Sequence, residues 1–384
     1  MQLRKEDLRL SWEADRRKER KRFWATVGAV FAMFLFCLCF RYHAYDYADK
    51  FCPVEYARSF ALAVRLLFAR LLDSPLWYQK DAAIEAVGGS VSYYGALAQL
   101  RLVLMTFVSG AAVSISGAIF QTAYRNPMAS PNIIGASAGV GLGNVVVVML
   151  FSAECFNHIL LRYEYCYGFT AICVALVLVL GKLSGTRQEN YSILSMVMAG
   201  SVVSQMVNVL TMYLMYNLED EDLVLYELLS LGTYIDTSAM SMAVFMAVMA
   251  VSLLPVLLMR YRFNAIGMDK METASLGLST KGMRLVGQLC GALMVTCAMI
   301  HCGQVGMISM VIPYILRRTV GSDFRRLAVY SGLVGGGLMM LCRLATSFFL
   351  IAGEPLPVGF IIQLVLMPVF AVILARQRGN MHEA

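Results

Sequence analysis

Long apolar segments alternate with short polar and charged ones along the 384-residue chain. These segments are apolar on every face of a helix, whereas the strands of a membrane barrel alternate apolar and polar residues. A helix needs about 20 apolar residues to cross the hydrocarbon core of a bilayer. The pattern therefore predicts an all-α polytopic membrane protein with about ten transmembrane helices, at about 23–40, 102–123, 132–151, 168–183, 191–215, 238–259, 283–300, 305–318, 327–351 and 358–375.

Composition and charge add an orientation to this pattern. The chain is 59% hydrophobic and 15% charged, with a mean hydropathy of +0.65, outside the range of ordinary soluble domains. An even number of spans leaves both termini on one side, and Lys and Arg are retained on the cytoplasmic side. With the termini inside, 23 of the 32 Lys and Arg residues are cytoplasmic, and the acidic segment 218–227 lies outside. We therefore predict a multi-pass protein with both termini in the cytoplasm.

The predicted organisation is a single membrane domain with short extensions. Residues 1–22 form a basic cytoplasmic arm that is solvated or contacts lipid headgroups, and the transmembrane domain covers residues 23–378. A signal peptide is the alternative for the first span, but no A-x-A-like cleavage site follows it. Within the domain we predict an enlarged outer segment at 41–97, which contains a helix along the outer interface at 53–72. We also predict a cytoplasmic loop at 260–284 and, beyond the domain, a cytoplasmic tail at 379–384.

Motifs for metal, redox or catalytic chemistry are missing from the sequence. There is no CxxC pair and no paired spacing among the four histidines, so no metal ligand set is predicted, and outer histidines are expected at the interface. A disulfide between Cys155 and Cys166 across an outer loop is left open. The sequence contains no GxxxxGK[ST], HExxH or GxSxG pattern, so we predict neither an enzyme nor an ATP-binding chain.

The spans hold few ionisable residues, and Arg343 is the exception. Two interpretations remain open for it: an arginine that extends to the outer headgroups, or a cation that faces a passage for an anionic solute. An ion-coupled carrier usually needs an intramembrane carboxylate, which the spans almost lack.

The stretch "RNPMASPNIIGASAGVGLG", residues 125–143, raises the question of a phosphate-binding loop. Such a loop would have to join a strand to a helix in water. Small residues at four-residue intervals instead favour close helix packing, where lipid offers no hydrophobic drive. We expect this packing role for Gly117, Gly135, Gly139 and Gly143, with prolines turning the chain between two spans.

Several motifs, in order, then carry a family resemblance that covers about residues 98–378. The sequence resembles the membrane permeases of type II ABC importers for ferric siderophores, haem and cobalamin, the FecCD-type family. The similar segments are "SGAAVSISGAIFQTAYRNPMASPNIIGASAGVGLG", "ILSMVMAGSVVSQMVNVLTMYLM", "MDKMETASLGLSTKGMR", "GQVGMISMVIPYILRRTVGSDFRRL" and "GEPLPVGFIIQLVLMPVFAVILARQR".

The resemblance implies a permease subunit in a bacterial cell membrane, working by alternating access. Its partners would be a cytoplasmic ABC ATPase dimer that binds ATP and magnesium, a second identical or homologous permease subunit, and an extracytoplasmic solute-binding protein. The resemblance implies that the ATPase couples through Met271, Glu272, Ala274, Ser275, Leu276 and Gly277. It likewise implies a translocation pathway along Ser195, Ser204, Gln205 and Asn208, with an outer gate around residues 217–235.

The chain departs from the family pattern at its outer surface. The family commonly begins its second span with R-x-P-R, and here "QLRL" leaves only Arg101. With Arg343 and Glu354, it is a candidate for outer docking or solute contact. Two other functions therefore stay open beside the importer permease: an ion-coupled secondary carrier, and a membrane scaffold or sensor that has kept the fold without transport.

Overall fold

The computed structural model describes residues 2–38, 93–152, 159–184, 193–232, 238–266, 280–346, 348, 350–351 and 354–382. These ranges contain twelve α-helices, a short 3-10 helix and one two-stranded antiparallel hairpin. In the first half are α1 Gln2–Leu38, α2 Tyr93–Ala123, the 3-10 helix Pro131–Ile134, α3 Ala136–Phe151, α4 Ile159–Leu183, α5 Ile193–Tyr216 and α6 Asp220–Leu231. In the second half are α7 Ala239–Leu258, α8 Arg260–Ala265, α9 Thr280–Cys302, α10 Gly306–Val320, α11 Phe324–Thr346, β1 Leu350–Ile351, β2 Glu354–Pro355 and α12 Val358–His382.

Each of the ten predicted spans corresponds to a helix. Seven helices among the described residues, namely α1, α2, α4, α5, α7, α9 and α11, contain a stretch long and apolar enough to cross a membrane. The apolar parts of α3 and α12 are shorter, and α10 has 15 residues. The all-helical polytopic membrane fold is thus confirmed, and the chain is a multi-pass membrane protein.

Three helices are longer than their apolar runs predict. The arm and the first span form one continuous helix, α1, of 37 residues. The helix α2 begins at Tyr93 within the predicted outer segment, and α4 begins at Ile159 within a predicted loop. The interfacial helix predicted at 53–72 lies outside the described residues.

The core of the molecule is built around α2. This helix packs against α9, α10 and α11. In the most apolar stretch of α2, 72% of the residues are buried, and in that of α9, 78%. Glycines bring the backbones together: a Cβ at Gly117 would lie 1.7 Å from the carbonyl oxygen of Ser309, and one at Gly110 would lie 2.5 Å from that of Gly335. By contrast, only 6% of the residues in the most apolar stretch of α1 and 22% of those in that of α5 are buried, so these helices are peripheral.

Glycines also set the packing of α3 on α4. A Cβ at Gly139 would lie 2.5 Å from the Thr170 Cα, and one at Gly143 would lie 2.6 Å from the Cys166 Cα. Gly135 directly precedes α3 and faces the same helix, because a Cβ there would lie 3.4 Å from the Cys173 Cβ of α4. It joins the 3-10 helix to α3 with φ of +75°, a left-handed conformation that favours glycine.

The positions of Cys166 in α4 and His301 in α9 differ from two expectations of the sequence analysis. Cys166 is a free, buried cysteine inside α4, with its Sγ 3.4 Å from the Asn144 Oδ1, so the disulfide considered with Cys155 is not formed. His301 is buried at the end of α9 rather than at the interface. Its Nε2 lies 2.5 Å from the Tyr163 hydroxyl, and its ring meets the edge of Phe245.

Candidate translocation surface

The helix α5 presents one packed face and one exposed face. Its packed face rests on α3, α4 and the 3-10 helix, and a Cβ at Gly200 would lie 1.6 Å from the Ile133 carbonyl oxygen. The opposite face exposes large apolar side chains over its whole length, namely Met198, Val202, Met206, Val209, Met212 and Tyr213. Within the described part of the chain, this face is therefore open along its length.

The four predicted pathway residues divide between these two faces. Ser195 and Ser204 are half-buried, and the Ser204 hydroxyl oxygen would lie 3.7 Å from a Cβ at Gly135. Gln205 and Asn208 are exposed, and a separation of three residues places them on the same side of the helix. An amide side chain loses free energy in hydrocarbon unless it finds a hydrogen-bond partner. The two amides therefore favour a polar environment along this face.

The helix α6 follows α5 at the end of the bundle that is predicted to be outer and to carry the gate. Its first turn is acidic, with Asp220, Glu221 and Asp222, and the Ser152 hydroxyl donates a hydrogen bond to Asp222. Acidic side chains at this position are favourable, because the N-terminus of a helix carries partial positive charge.

The C-terminal end of α6 is fixed by a buried arginine. Arg162 in α4 is 5% exposed, and its guanidinium donates hydrogen bonds to the Asn144 Oδ1 at 3.1 Å and the Leu229 carbonyl oxygen at 3.2 Å. A cation at the C-terminus of a helix satisfies carbonyl groups that have no partner within the helix. Arg162 thus joins α3, α4 and α6, a role that its position in the polar run "LRYEYCYG" did not predict.

Two glycines join α6 to the connection between α9 and α10. Gly232 and Gly303 have φ of +85° and +68°, and a Cβ at Gly232 would lie 1.9 Å from the Cys302 carbonyl oxygen. The Gln304 amide donates a hydrogen bond to the Ser230 carbonyl oxygen beside them. The backbone at the end of α6 is therefore in direct contact with the backbone that connects α9 to α10.

At the opposite, basic end, the turn after α2 contacts the entry of the predicted coupling loop. Arg125 has φ of +50°, and its Nε donates a hydrogen bond of 2.7 Å to the Ile266 carbonyl oxygen. Residues 267–279 lie outside the described residues, and with them all six predicted coupling residues, Met271, Glu272, Ala274, Ser275, Leu276 and Gly277. What the structure describes are the two flanks, α8 and the start of α9.

The candidate docking residues lie on three separate elements. Arg101 is half-buried in α2, and Glu354 belongs to β2 of the hairpin. Arg343 is 5% exposed within α11. Among the described residues, no group of three or more His, Cys, Asp or Glu side chains is arranged to hold a metal ion.

Comparison with known proteins gives relatives over most of the chain. It is 30% identical over 291 residues to an ABC transporter permease protein of Methanocaldococcus jannaschii, covering 72% of this chain and 80% of the relative. It is 27% identical over 281 residues to the hemin transport system permease protein of Yersinia pestis, covering 73% and 82%.

A solved structure supports the same fold. The inward-facing structure of a metal-chelate type ABC transporter superposes with a TM-score of 0.63 over 72% of this chain and 86% of that chain, at 22% identity. At this identity the likeness concerns the fold alone. The FecCD transport family matches residues 62–376, and the chain therefore belongs to this family of transport permeases.

Proposed function

We propose that the chain is the translocation subunit of an ATP-driven importer for an iron chelate, haem or a corrinoid. The observation that carries the proposal is the open face of α5, where Gln205 and Asn208 stand among exposed apolar side chains. A second permease subunit, identical or homologous, would cover part of this face and enclose a polar passage with it. The family relationship and the hemin permease among the relatives support the substrate class.

The energy would come from a separate cytoplasmic ATPase dimer that binds ATP and magnesium. Its contact would be the segment 267–279, with Met271 to Gly277 entering a groove on the ATPase. Closure of the ATPase pair would tilt the two permease subunits and switch the passage between outward and inward openings, a rigid-body transition. In this arrangement both termini are cytoplasmic, and α6 lies at the outer mouth, where a solute-binding protein delivers its cargo.

Uptake into proteoliposomes tests this proposal against its two alternatives. The subunit is reconstituted with its ATPase and binding protein, and entry of ferric chelate, haem or cobalamin is measured with ATP, without ATP, and with an imposed ion gradient. An importer accumulates one solute with ATP only. Entry driven by the ion gradient alone would establish a secondary carrier instead, and no entry of any solute in a correctly assembled complex would favour a scaffold or sensor.

A further inference from the structure

A cavity of about 1360 Å³ opens at the basic end of the molecule, between α1, α10 and α11. The described residues that line it belong to α1, α10 and α11, and none of them belongs to α5. It combines a charged mouth with an apolar wall. The apolar wall includes Leu316, Val320, Val329 and Val334, and Tyr330 and Phe23 lie beside it.

Five arginines line this cavity, two of them from α11. Arg326 forms an ion pair with Glu19 of α1, and Arg325 pairs with Asp323 at 3.0 Å. Partial burial raises the pKa of Asp323, but hydrogen bonds from Arg325 and Asn264 outweigh it and hold that pKa below its usual value. Asp323 is therefore ionised at neutral pH and compensates Arg325.

The other three arginines, Arg17, Arg20 and Arg22, come from α1. They form no ion pair within the part of the chain that the structure describes. By contrast, Lys18 and Lys21 of the same helix do not line the cavity. Arg17 and Arg20 are three residues apart and lie on the same side of α1, so the cavity collects two cations there that have no ion pair among the described residues, and such a site favours an anion.

The depth of these cations agrees with a lipid headgroup. Trp24 follows directly and is 63% exposed, as is typical of a tryptophan at the boundary between lipid and water. The rings of Phe23 and Tyr330 pack edge to face with their centroids 5.9 Å apart, and this contact joins α1 to α11 next to Trp24. From there the wall along Val329 and Val334 continues toward the apolar part of α11.

We propose that this cavity binds an anionic phospholipid, with its phosphate at Arg17 and Arg20 and part of an acyl chain along the apolar wall. Basic pockets between membrane helices on the cytoplasmic side suit such headgroups. One wall of the site, α1, precedes the segment 62–376 matched by the family, whereas α10 and α11 lie within it. The proposal does not depend on the transported solute or on the ATPase.

A lipid-binding measurement on the purified full chain tests this site. The chain is delipidated in neutral detergent, and the binding of phosphatidylglycerol, phosphatidylcholine with the same acyl chains, or glycerol 3-phosphate is followed by native mass spectrometry and thermal stability. The site variant is Arg17→Gln with Arg20→Gln. The matched control is Lys18→Gln with Lys21→Gln, which removes the same charge from the same helix outside the cavity.

We expect phosphatidylglycerol to bind and raise the melting temperature of the unmodified chain and the control, and phosphatidylcholine to do neither. The site variant should bind phosphatidylglycerol about tenfold or more weakly, with an unchanged melting temperature in phosphatidylcholine that shows an intact fold. Equal losses in both double variants would reduce the effect to general surface charge and overturn the site. Equal stabilisation by glycerol 3-phosphate would overturn the lipid in favour of a soluble phosphate.

Discussion

At the scale of single residues, small and polar side chains decide how the helices meet. Gly139 and Gly143 let α3 approach the backbone of α4, and Arg162 supplies hydrogen bonds to two other elements. Both types of contact lie in the buried interior, where neither a new methyl group nor a lost partner is easily accommodated. Two substitutions with matched controls distinguish these effects.

Gly139→Ala should destabilise the folded subunit by about 1–3 kcal/mol, because the new Cβ lies 2.5 Å from the Thr170 Cα and the two helices must separate. The control is Gly141→Ala on the same helix, where the nearest atom to a Cβ is the Tyr226 hydroxyl oxygen at 3.9 Å. Thermal unfolding in detergent measures both variants. Equal melting temperatures for the two would refute the packing role of Gly139.

Arg162→Met should release the C-terminal end of α6, because the Leu229 carbonyl oxygen and the Asn144 Oδ1 each lose a charged donor. Hydrogen exchange of amides in residues 220–231 should become about tenfold faster, which corresponds to about 1.4 kcal/mol. Lys182→Met, an exposed position on the same helix, is the control for lost charge. Unchanged exchange in the Arg162 variant would remove this arginine from the anchoring of α6.

At the scale of elements, hydropathy predicted which segments form helices but not where they begin. The start of α4 was missed because Arg162 and its polar neighbours look like a loop until Asn144 and Leu229 are known to satisfy the guanidinium. At Gly135 the spacing predicted a packing contact but not the backbone φ of +75° that joins the 3-10 helix to α3. The exposed side of α5 could be predicted only in part, because Ser204 faces inward while Gln205 faces outward.

The exposed face of α5 leads to a labelling experiment in native membranes. Gln205→Cys and Asn208→Cys should react with a hydrophilic maleimide above the background of the unsubstituted chain, because both side chains would line an aqueous passage. Val251→Cys on α7, 69% exposed, should react only with a lipid-soluble maleimide. If Gln205→Cys and Asn208→Cys both reacted like Val251→Cys, the face would be buried in lipid and the pathway assignment would fail.

At the scale of the whole molecule, the proposed coupling segment predicts how the subunit assembles. Replacing Leu276 and Gly277 with Asp should reduce co-purification of the ATPase about tenfold or more, because charge would replace apolar contact in a groove. Gln188→Asp with Asn190→Asp, in another loop predicted to be cytoplasmic, is the control of equal charge. Both variants should keep the melting temperature of the unmodified subunit. Undiminished co-purification with the Leu276 and Gly277 variant would exclude this loop as the contact.

The contact of Gly232 with Gly303 has a mechanical consequence for the outer mouth. Two peptide backbones meet there without side chains that could rotate aside, and the Gln304 amide bonds across the contact. We therefore expect α6 and the α9–α10 connection to shift together when the predicted outer mouth opens, with Arg162 holding the same end of α6 to α3 and α4.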